Sequence, residues 1–337
     1  MRTVVGICES FAFALAGALF ASGAAAQGAP TVMKIATATI NDSQHEWMKI
    51  YAGLVEKGSA GRIKVELYPA SQLGSIPRMI EGTQFGSIQA YVGPPEFLSG
   101  VDSRYEVLSA PGQFKDLAHA NRTLQDPEFG TAFLALGANK GLKGIALFLS
   151  GPAVFATRAP VQKLADLEGK KVRVLAAPLQ MEQMRKLKAT PVPMSLGEVM
   201  PALQQGALDG VMSSTPVLTA LRFYDAAKYL YESDHAIVSV ITVISKGWHD
   251  KLPADLQKVV VDAGPKASSE VYQWSVDFVS RQRAAWRNAG GAISAPNDAD
   301  RAQLRTLMAP IGPAITSKKP EEGALFELLQ RVAKRTE

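Results

Sequence analysis

In the run Lys170-Lys171-Val172-Arg173-Val174-Leu175 polarity alternates, so an extended backbone sends Val172 and Val174 to one face and Lys171 and Arg173 to the other. A guanidinium fixed at such a place can clamp a carboxylate through two parallel N–H donors. By pattern alone Arg173 reads as a solvated strand residue. Its position near the C-terminal end of a strand sets it apart, because open α/β sheets take their ligands beyond those ends.

Other reactive residue types are sparsely placed. His45-Glu46 begins like a zinc-protease helix, yet Lys49 stands one turn on, where a second imidazole would be required. His45 is therefore expected at a helix start, exposed or at the rim of a pocket. His249, beside Trp248 and ahead of Leu252-Pro253, reads as packing at another helix start. The pairs Asp166 with Glu168 and Asp102 with Glu106 sit in polar stretches with nothing to raise a carboxyl pKa, and read as solvated surface. The chain has no Gly-x-Ser-x-Gly elbow, no Gly-x-Gly-x-x-Gly and no Gly-rich loop ending in Lys-Ser/Thr. No catalytic residues, cofactor or metal are expected.

The elements that would carry these residues begin after an export signal. Arg2 precedes an apolar stretch at residues 4–21 and the small run Ser22-Gly23-Ala24-Ala25-Ala26, which predicts cleavage after Ala26 and a periplasmic location. Glu9 and Cys8 interrupt the stretch; the alternative, a retained anchor, wants ~20 clean apolar residues. Cys8 is the only cysteine and would leave with the signal, so the mature chain can form no internal disulfide. Roughly 310 residues remain, enough for two domains with cores of their own. The net charge of +5 survives cleavage, since Arg2 and Glu9 depart together, and mildly favours anionic ligands or an anionic membrane surface. Basic residues are scattered without a dense run, which argues against nucleic acid as a partner.

Periodicity predicts strands over residues 33–38, 62–68 and 88–92, with helices at 44–58 and 76–86 between them. Helices at 117–124 and 131–140 lead to a strand at 143–149, and Gly151-Pro152 is expected to break the chain at a domain crossing. A second series follows: strands at 153–157, 171–175 and 208–212 with helices at 179–187 and 197–205. A β-branched strand at 237–245 precedes a helical region at 253–289, interrupted at Gly264-Pro265 and long enough to lie across both domains. Alternating strands and helices imply a largely parallel sheet covered on both faces. Two such α/β lobes under one long helix would enclose a cleft.

Several segments resemble a known family. They are Tyr68-Pro69-Ala70-Ser71-Gln72-Leu73-Gly74, Gly86-Ser87-Ile88, the run from Leu164 through Gly169 to Val174, and Pro191-Val192-Pro193-Met194. Gly197-Glu198-Val199, Ala202-Leu203-Gln204-Gln205-Gly206-Ala207-Leu208-Asp209-Gly210, and Trp248 with Lys251-Leu252-Pro253-Ala254-Asp255-Leu256-Gln257-Lys258 complete the set. Together they resemble, in order and over nearly the whole mature chain, the DctP-type substrate-binding proteins of tripartite ATP-independent periplasmic (TRAP) transporters.

The resemblance implies a two-lobed periplasmic binding protein fold with hinge strands and a long helix spanning both lobes. Lobe one would comprise residues 31–150 plus about 240–280, and lobe two 151–239 plus about 281–337. It implies a receptor for a small organic acid that serves a small and a large membrane permease subunit, expected as a monomer. Arg173 matches the family's carboxylate-binding arginine. Sugar-acid binders of the family carry a second arginine where this chain has Ala153, and an amide where it has Ser213. Pro94 takes the place of an acidic contact after the short strand, and Leu196 that of an aromatic. The expected ligand-facing set is thus Arg173, Ser213, Leu196 and Ala153, with Gly93, Pro94, Gln44 and His45 facing across. Such a pocket, poorer in charge, predicts a monocarboxylate with an apolar or aromatic body. An exported α/β enzyme acting on small acids and a sensory receptor for a membrane kinase are the competing readings.

Overall fold

The computed structural model describes residues 29–337, so the expected signal peptide at 1–26 lies outside the described residues. Strand β1 (Thr31–Thr37), helix α1 (Ser43–Gly58), β2 (Ile63–Tyr68), α2 (Ile76–Phe85) and β3 (Ala90–Gly93) form the first β–α–β series. Asp42 caps α1 by accepting from the His45 backbone N–H at 3.1 Å. A single 3-10 turn at Pro95–Leu98 and a longer 3-10 helix at Ser103–Ser109 follow, then α3 (Leu117–Gln125), α4 (Pro127–Leu134) and the long β4 (Leu142–Thr157). The second series runs β5 (Lys171–Val174), α5 (Pro178–Lys186), β6 (Thr190–Pro193), α6 (Leu196–Gln204) and β7 (Gly210–Ser214). Beyond it lie α7 (Thr215–Ala220), β8 (Tyr229–Tyr231), β9 (Ile237–Ser245), α8 (Lys246–His249), α9 (Ala254–Asn288) and β10 (Ala292–Ser294). Helices α10 (Asp298–Met308), α11 (Ile311–Thr316) and α12 (Pro320–Arg335) end the chain.

The strands join in the order β2-β1-β3-β9-β4-β7-β5-β6. β1 is parallel to β2 and β3, and β5 is parallel to β6 and β7. Between the two parallel triplets β9 and β4 run antiparallel to each other and to their outer neighbours. These two crossing strands therefore tie a pair of α/β units together. Helix α9 does so a second time. Its N-terminal half buries Val260, Ala267 and Val271 with Trp47, Tyr51 and Phe148, where Trp47 stacks on both rings. Its far end buries Trp286 among Val211, Leu230 and Phe223 of the second unit.

Three local readings of the sequence are corrected. Gly151-Pro152 does not break the chain, because β4 is one strand of 16 residues that absorbs the pair in a bulge between Leu149 and Gly151. Gly151 takes a φ of 154°, which a side chain would resist. Helix α9 likewise runs unbroken for 35 residues through Gly264-Pro265. Pro265 is exposed, on the side where water can reach the carbonyl it leaves without a donor, while Ala263, Gly264 and Ala267 pack on the buried side. Gly264 serves close approach: a Cβ there would lie 2.3 Å from the Ile145 carbonyl oxygen of β4. The helix read at 131–140 begins earlier, at Pro127, because Asp126 accepts from the Glu128 N–H and caps it.

Gly264→Ala is expected to destabilise the protein by roughly 1–3 kcal/mol, the cost of overpacking against rigid backbone, despite alanine's better helix propensity. Urea denaturation of the two proteins checks this; an unchanged or higher midpoint would mean that α9 can slide away from β4 without loss.

Candidate functional site

The C-terminal ends of β1, β3, β5 and β7 converge on one cavity, as expected where parallel strands present their carboxyl ends. Ala38 and Thr39 follow β1, and Pro94, Glu96 and Phe97 follow β3. Arg173 and Leu175 come from the end of β5, Met212 and Ser213 from β7, and Ile237 and Val238 from the crossing strand β9. The cavity measures about 50 Å³, room for a few water molecules.

Arg173 is the only cation among the residues lining it. The alternation that exposed it on paper was misleading. β5 is flanked by β6 and β7 and covered on both faces, so Arg173 is 2% exposed, as deeply sunk as its valine neighbours, while Lys171 stays exposed. Its Nε donates to the Met194 carbonyl at 2.9 Å, but Nη2 is buried without a protein partner. Burial pulls its pKa down to about 10, only partly opposed by Glu198. A donor of this strength is not left idle in an interior at no cost, so it marks where an acceptor belongs.

Glu96 also lines the cavity, 4% exposed, and no sequence signal singled it out. Pro94 does occupy the place of the acidic contact, yet the turn Pro95–Leu98 winds Glu96 into the same space two residues later. The cavity is therefore less poor in charge than the sequence suggested. Burial pushes the Glu96 carboxyl up to about 7, with a hydrogen bond from Ser109 opposing. The Ser109 hydroxyl donates to Glu96 Oε1 at 2.5 Å, while Oε2 is buried and unpartnered. A polar relay stands behind it. Gln180 accepts from the Leu175 N–H at 2.9 Å, which fixes its amide so that Nε2 donates to the Ser109 hydroxyl at 3.2 Å. Gln183 donates to the Ser109 carbonyl at 2.7 Å and presents Oε1 to His235 Nε2 at 3.0 Å. His235 thus carries its proton on Nε2. Burial takes its pKa down to about 4, and its ring stacks on Phe155.

Of the eight residues expected to face the ligand, Arg173, Ser213, Leu196, Ala153, Pro94 and Gln44 line the cavity. Gln44 is held there by the Thr37 hydroxyl, which donates to Oε1 at 3.0 Å. His45 does not line it; its Nδ1 accepts from the Asn41 N–H at 3.1 Å and serves the helix start. Gly93 does not line it either. Its missing side chain makes way for Tyr91, whose hydroxyl would lie 2.2 Å from a Cβ there, and Tyr91 lines the cavity instead. Glu106 corrects the reading of solvated carboxylates. It is 2% exposed on a turn packed under α5 and α12, and burial, reinforced by Glu322, pushes its pKa up to about 7. Its partner Asp102 pairs with Arg104 and is held below the usual carboxylate range by that hydrogen bond. No group of three or more His, Cys, Asp or Glu that could hold a metal occurs among the described residues.

Comparison with known proteins points one way. The family model described as bacterial extracellular solute-binding protein, family 7 (DctP) matches residues 36–319. The chain is 31% identical over 229 residues to the 2,3-diketo-L-gulonate-binding periplasmic protein YiaO of Escherichia coli, covering 68% of this chain and 70% of that one. Among crystal structures it resembles a TRAP periplasmic solute-binding protein of Desulfovibrio salexigens with bound orotic acid, at a TM-score of 0.86 and 27% identity over 91% of this chain and 99% of that one. A TRAP periplasmic solute-binding protein of Xanthobacter autotrophicus with bound β-D-galacturonate matches at a TM-score of 0.82 and 26% identity, covering 89% and 99%. Both neighbours share the two-lobed architecture.

Replacing a buried, half-satisfied charge by an apolar side chain of similar volume is often stabilising. Arg173→Met is accordingly expected to raise the stability of the ligand-free protein by roughly 1 kcal/mol or more, read as a higher melting temperature after ligand has been stripped. A lower melting temperature would mean that the guanidinium is structural.

Proposed function

The chain belongs to the DctP family of bacterial extracellular solute-binding proteins, and from that premise we propose that it is a periplasmic receptor of a TRAP transporter. It captures a small organic acid between its lobes and delivers it to a small and a large membrane subunit. The observation that carries this reading is the buried Arg173 Nη2, without a partner, at the mouth of β5. A ligand carboxylate supplies the acceptor that the protein withholds.

Closure follows from the same physics. The lobes, residues 31–150 with about 240–280 and 151–239 with about 281–337, approach each other on binding. Water leaves, the local dielectric falls, and the arginine–carboxylate attraction strengthens. Beyond Arg173 and Glu96 the lining is largely apolar, with Ile76, Phe97, Leu175, Leu196, Met212 and Val217. This supports a monocarboxylate with an apolar or aromatic body over a polyhydroxylated sugar acid, and the narrow cavity favours a compact one. The ligands named for the relatives, orotic acid, galacturonate and 2,3-diketo-L-gulonate, are all acids, which supports the class without naming the compound. Among the described residues no helix is long and apolar enough to cross a membrane. The receptor acts as a monomer, and the closed form is what the membrane subunits recognise.

The test is a thermal-shift screen of protein unfolded and refolded to strip carried-over ligand, against aliphatic, aromatic, oxo and sugar acids. A ligand that binds only the folded state raises the melting temperature. One class of monocarboxylates should do so, and Arg173→Ala should weaken its binding by roughly 2–5 kcal/mol, the usual loss when one partner of a buried charge pair is truncated. A response confined to neutral or cationic solutes would overturn the assignment.

A further inference from the structure

Glu96 faces the same cavity as Arg173, and its hydrogen-bond geometry restricts what it can offer. The Ser109 hydroxyl receives the Gln180 amide hydrogen, so its own hydrogen goes to Glu96 Oε1. That leaves Oε2 buried and without a partner, on a side chain that lines the cavity. As a carboxylate oxygen it would be an unpaired negative charge in an apolar site; as the O–H of a carboxylic acid it is a donor ready for an acceptor. The neighbours give ionisation no support. The turn carrying Glu96 packs against the segment Ser103–Ser109, α2 and β9. That segment brings Glu106, a second buried carboxyl whose charge would repel, Tyr105, which donates its hydroxyl to the Leu136 carbonyl, and Arg104, committed to Asp102. On α2, Arg78 and Glu81 are exposed, and β9 has no titratable residue. Tyr91 of β3 is a neutral phenol, raised further by burial. Arg173 is the cavity's one cation, and a bound carboxylate would neutralise it.

We propose that Glu96 binds the ligand as the neutral acid, donating from Oε2 to an oxygen other than the carboxylate held by Arg173, so that the preferred ligands are 2-oxo or 2-hydroxy acids and capture takes up a proton. This rests on the receptor reading and narrows its ligand class. A net negative charge stays out of the closed site: the ligand brings one, Arg173 cancels it, and Glu96 adds none. Because only the protonated form binds, apparent affinity scales with its fraction. With a carboxyl poised at about 7, binding at pH 8 should be about tenfold weaker than at pH 6.

Isothermal titration calorimetry of the refolded protein with butanoate, 2-oxobutanoate, 2-hydroxybutanoate and 2-aminobutanoate tests this, at both pH values and in two buffers of different ionisation enthalpy to count protons. The expected result is tighter binding of the oxo and hydroxy acids than of butanoate, with proton uptake and the tenfold weakening. Glu96→Gln keeps an N–H donor and should bind these acids with a flat pH response. Glu96→Leu should lose the preference over butanoate, and Glu106→Gln should keep the pH slope. Oxo-acid binding that is equally strong at both pH values, without proton uptake, overturns the proposal and leaves the receptor reading standing. Best binding of 2-aminobutanoate, abolished in Glu96→Gln, also overturns it, since Glu96 would then act as an anion. Failure of all four acids to bind at millimolar concentration, while the screen finds another acid that does, overturns this ligand class alone; a screen that answers only to neutral or cationic solutes overturns both readings.

Discussion

A guanidinium taken out of water without an anion to meet it is the constraint on which this molecule turns. Desolvating such a group costs several kcal/mol even after the protein relaxes around it. One hydrogen bond, from Nε to the Met194 carbonyl, offsets a fraction of that. The remainder must come from the rest of the fold, and its cores are arranged accordingly. Val172 and Val174 are wholly buried beside Arg173, and β6 and β7 fix the strand from both edges. The side chain has little freedom to swing out to solvent. An acceptor supplied from outside the protein would offset that cost, and the strand holds the guanidinium where one could reach it.

The site has a matching element of opposite character across the cavity. Arg173 is fixed by a strand within a sheet, whereas Glu96 sits on a single 3-10 turn and is oriented by a relay through Ser109, Gln180 and Gln183 to His235. Each amide in that relay is fixed by a backbone group, so no member can rotate without leaving a buried partner unsatisfied. Residues from both sequence halves take part. A buried network thus joins Ser109 of the first unit to Gln180, Gln183 and His235 of the second.

Much of this was legible in the sequence, and the failures share a cause. Period-2 alternation located β5 and brought Arg173 forward, and a capping turn, helical periodicity and a β-branched run located α1, α2 and β9 respectively to within a residue. Alternation could not say that Arg173 is buried, because a strand covered on both faces by tertiary contacts looks locally like one covered on a single face. Glu96 lies in Pro94-Pro95-Glu96-Phe97, a turn without periodicity, so nothing local distinguished it from a surface acid. Glu106 was missed for the same reason. Gly151-Pro152 and Gly264-Pro265 were read as breaks because their intrinsic preference says so; in the folded chain a bulge and a close helix–strand contact overrule it.

Those two dipeptides meet one another through the long helix. Gly264 lets α9 press its backbone onto Ile145 in the first half of β4, while Val279, four turns on, lies against Gly151 at the bulge. Two antiparallel strands and one helix are thereby laminated along the line joining the units, like the leaves of a spring clamped at one end. Such a laminate resists shear and torsion far more than it resists flexure about its weakest point. The ladder between the two strands is interrupted at two places, Gly144/Ala146 and Leu149/Gly151. The line joining the units is thus a three-ply seam, in which a change to any one ply is felt by the other two.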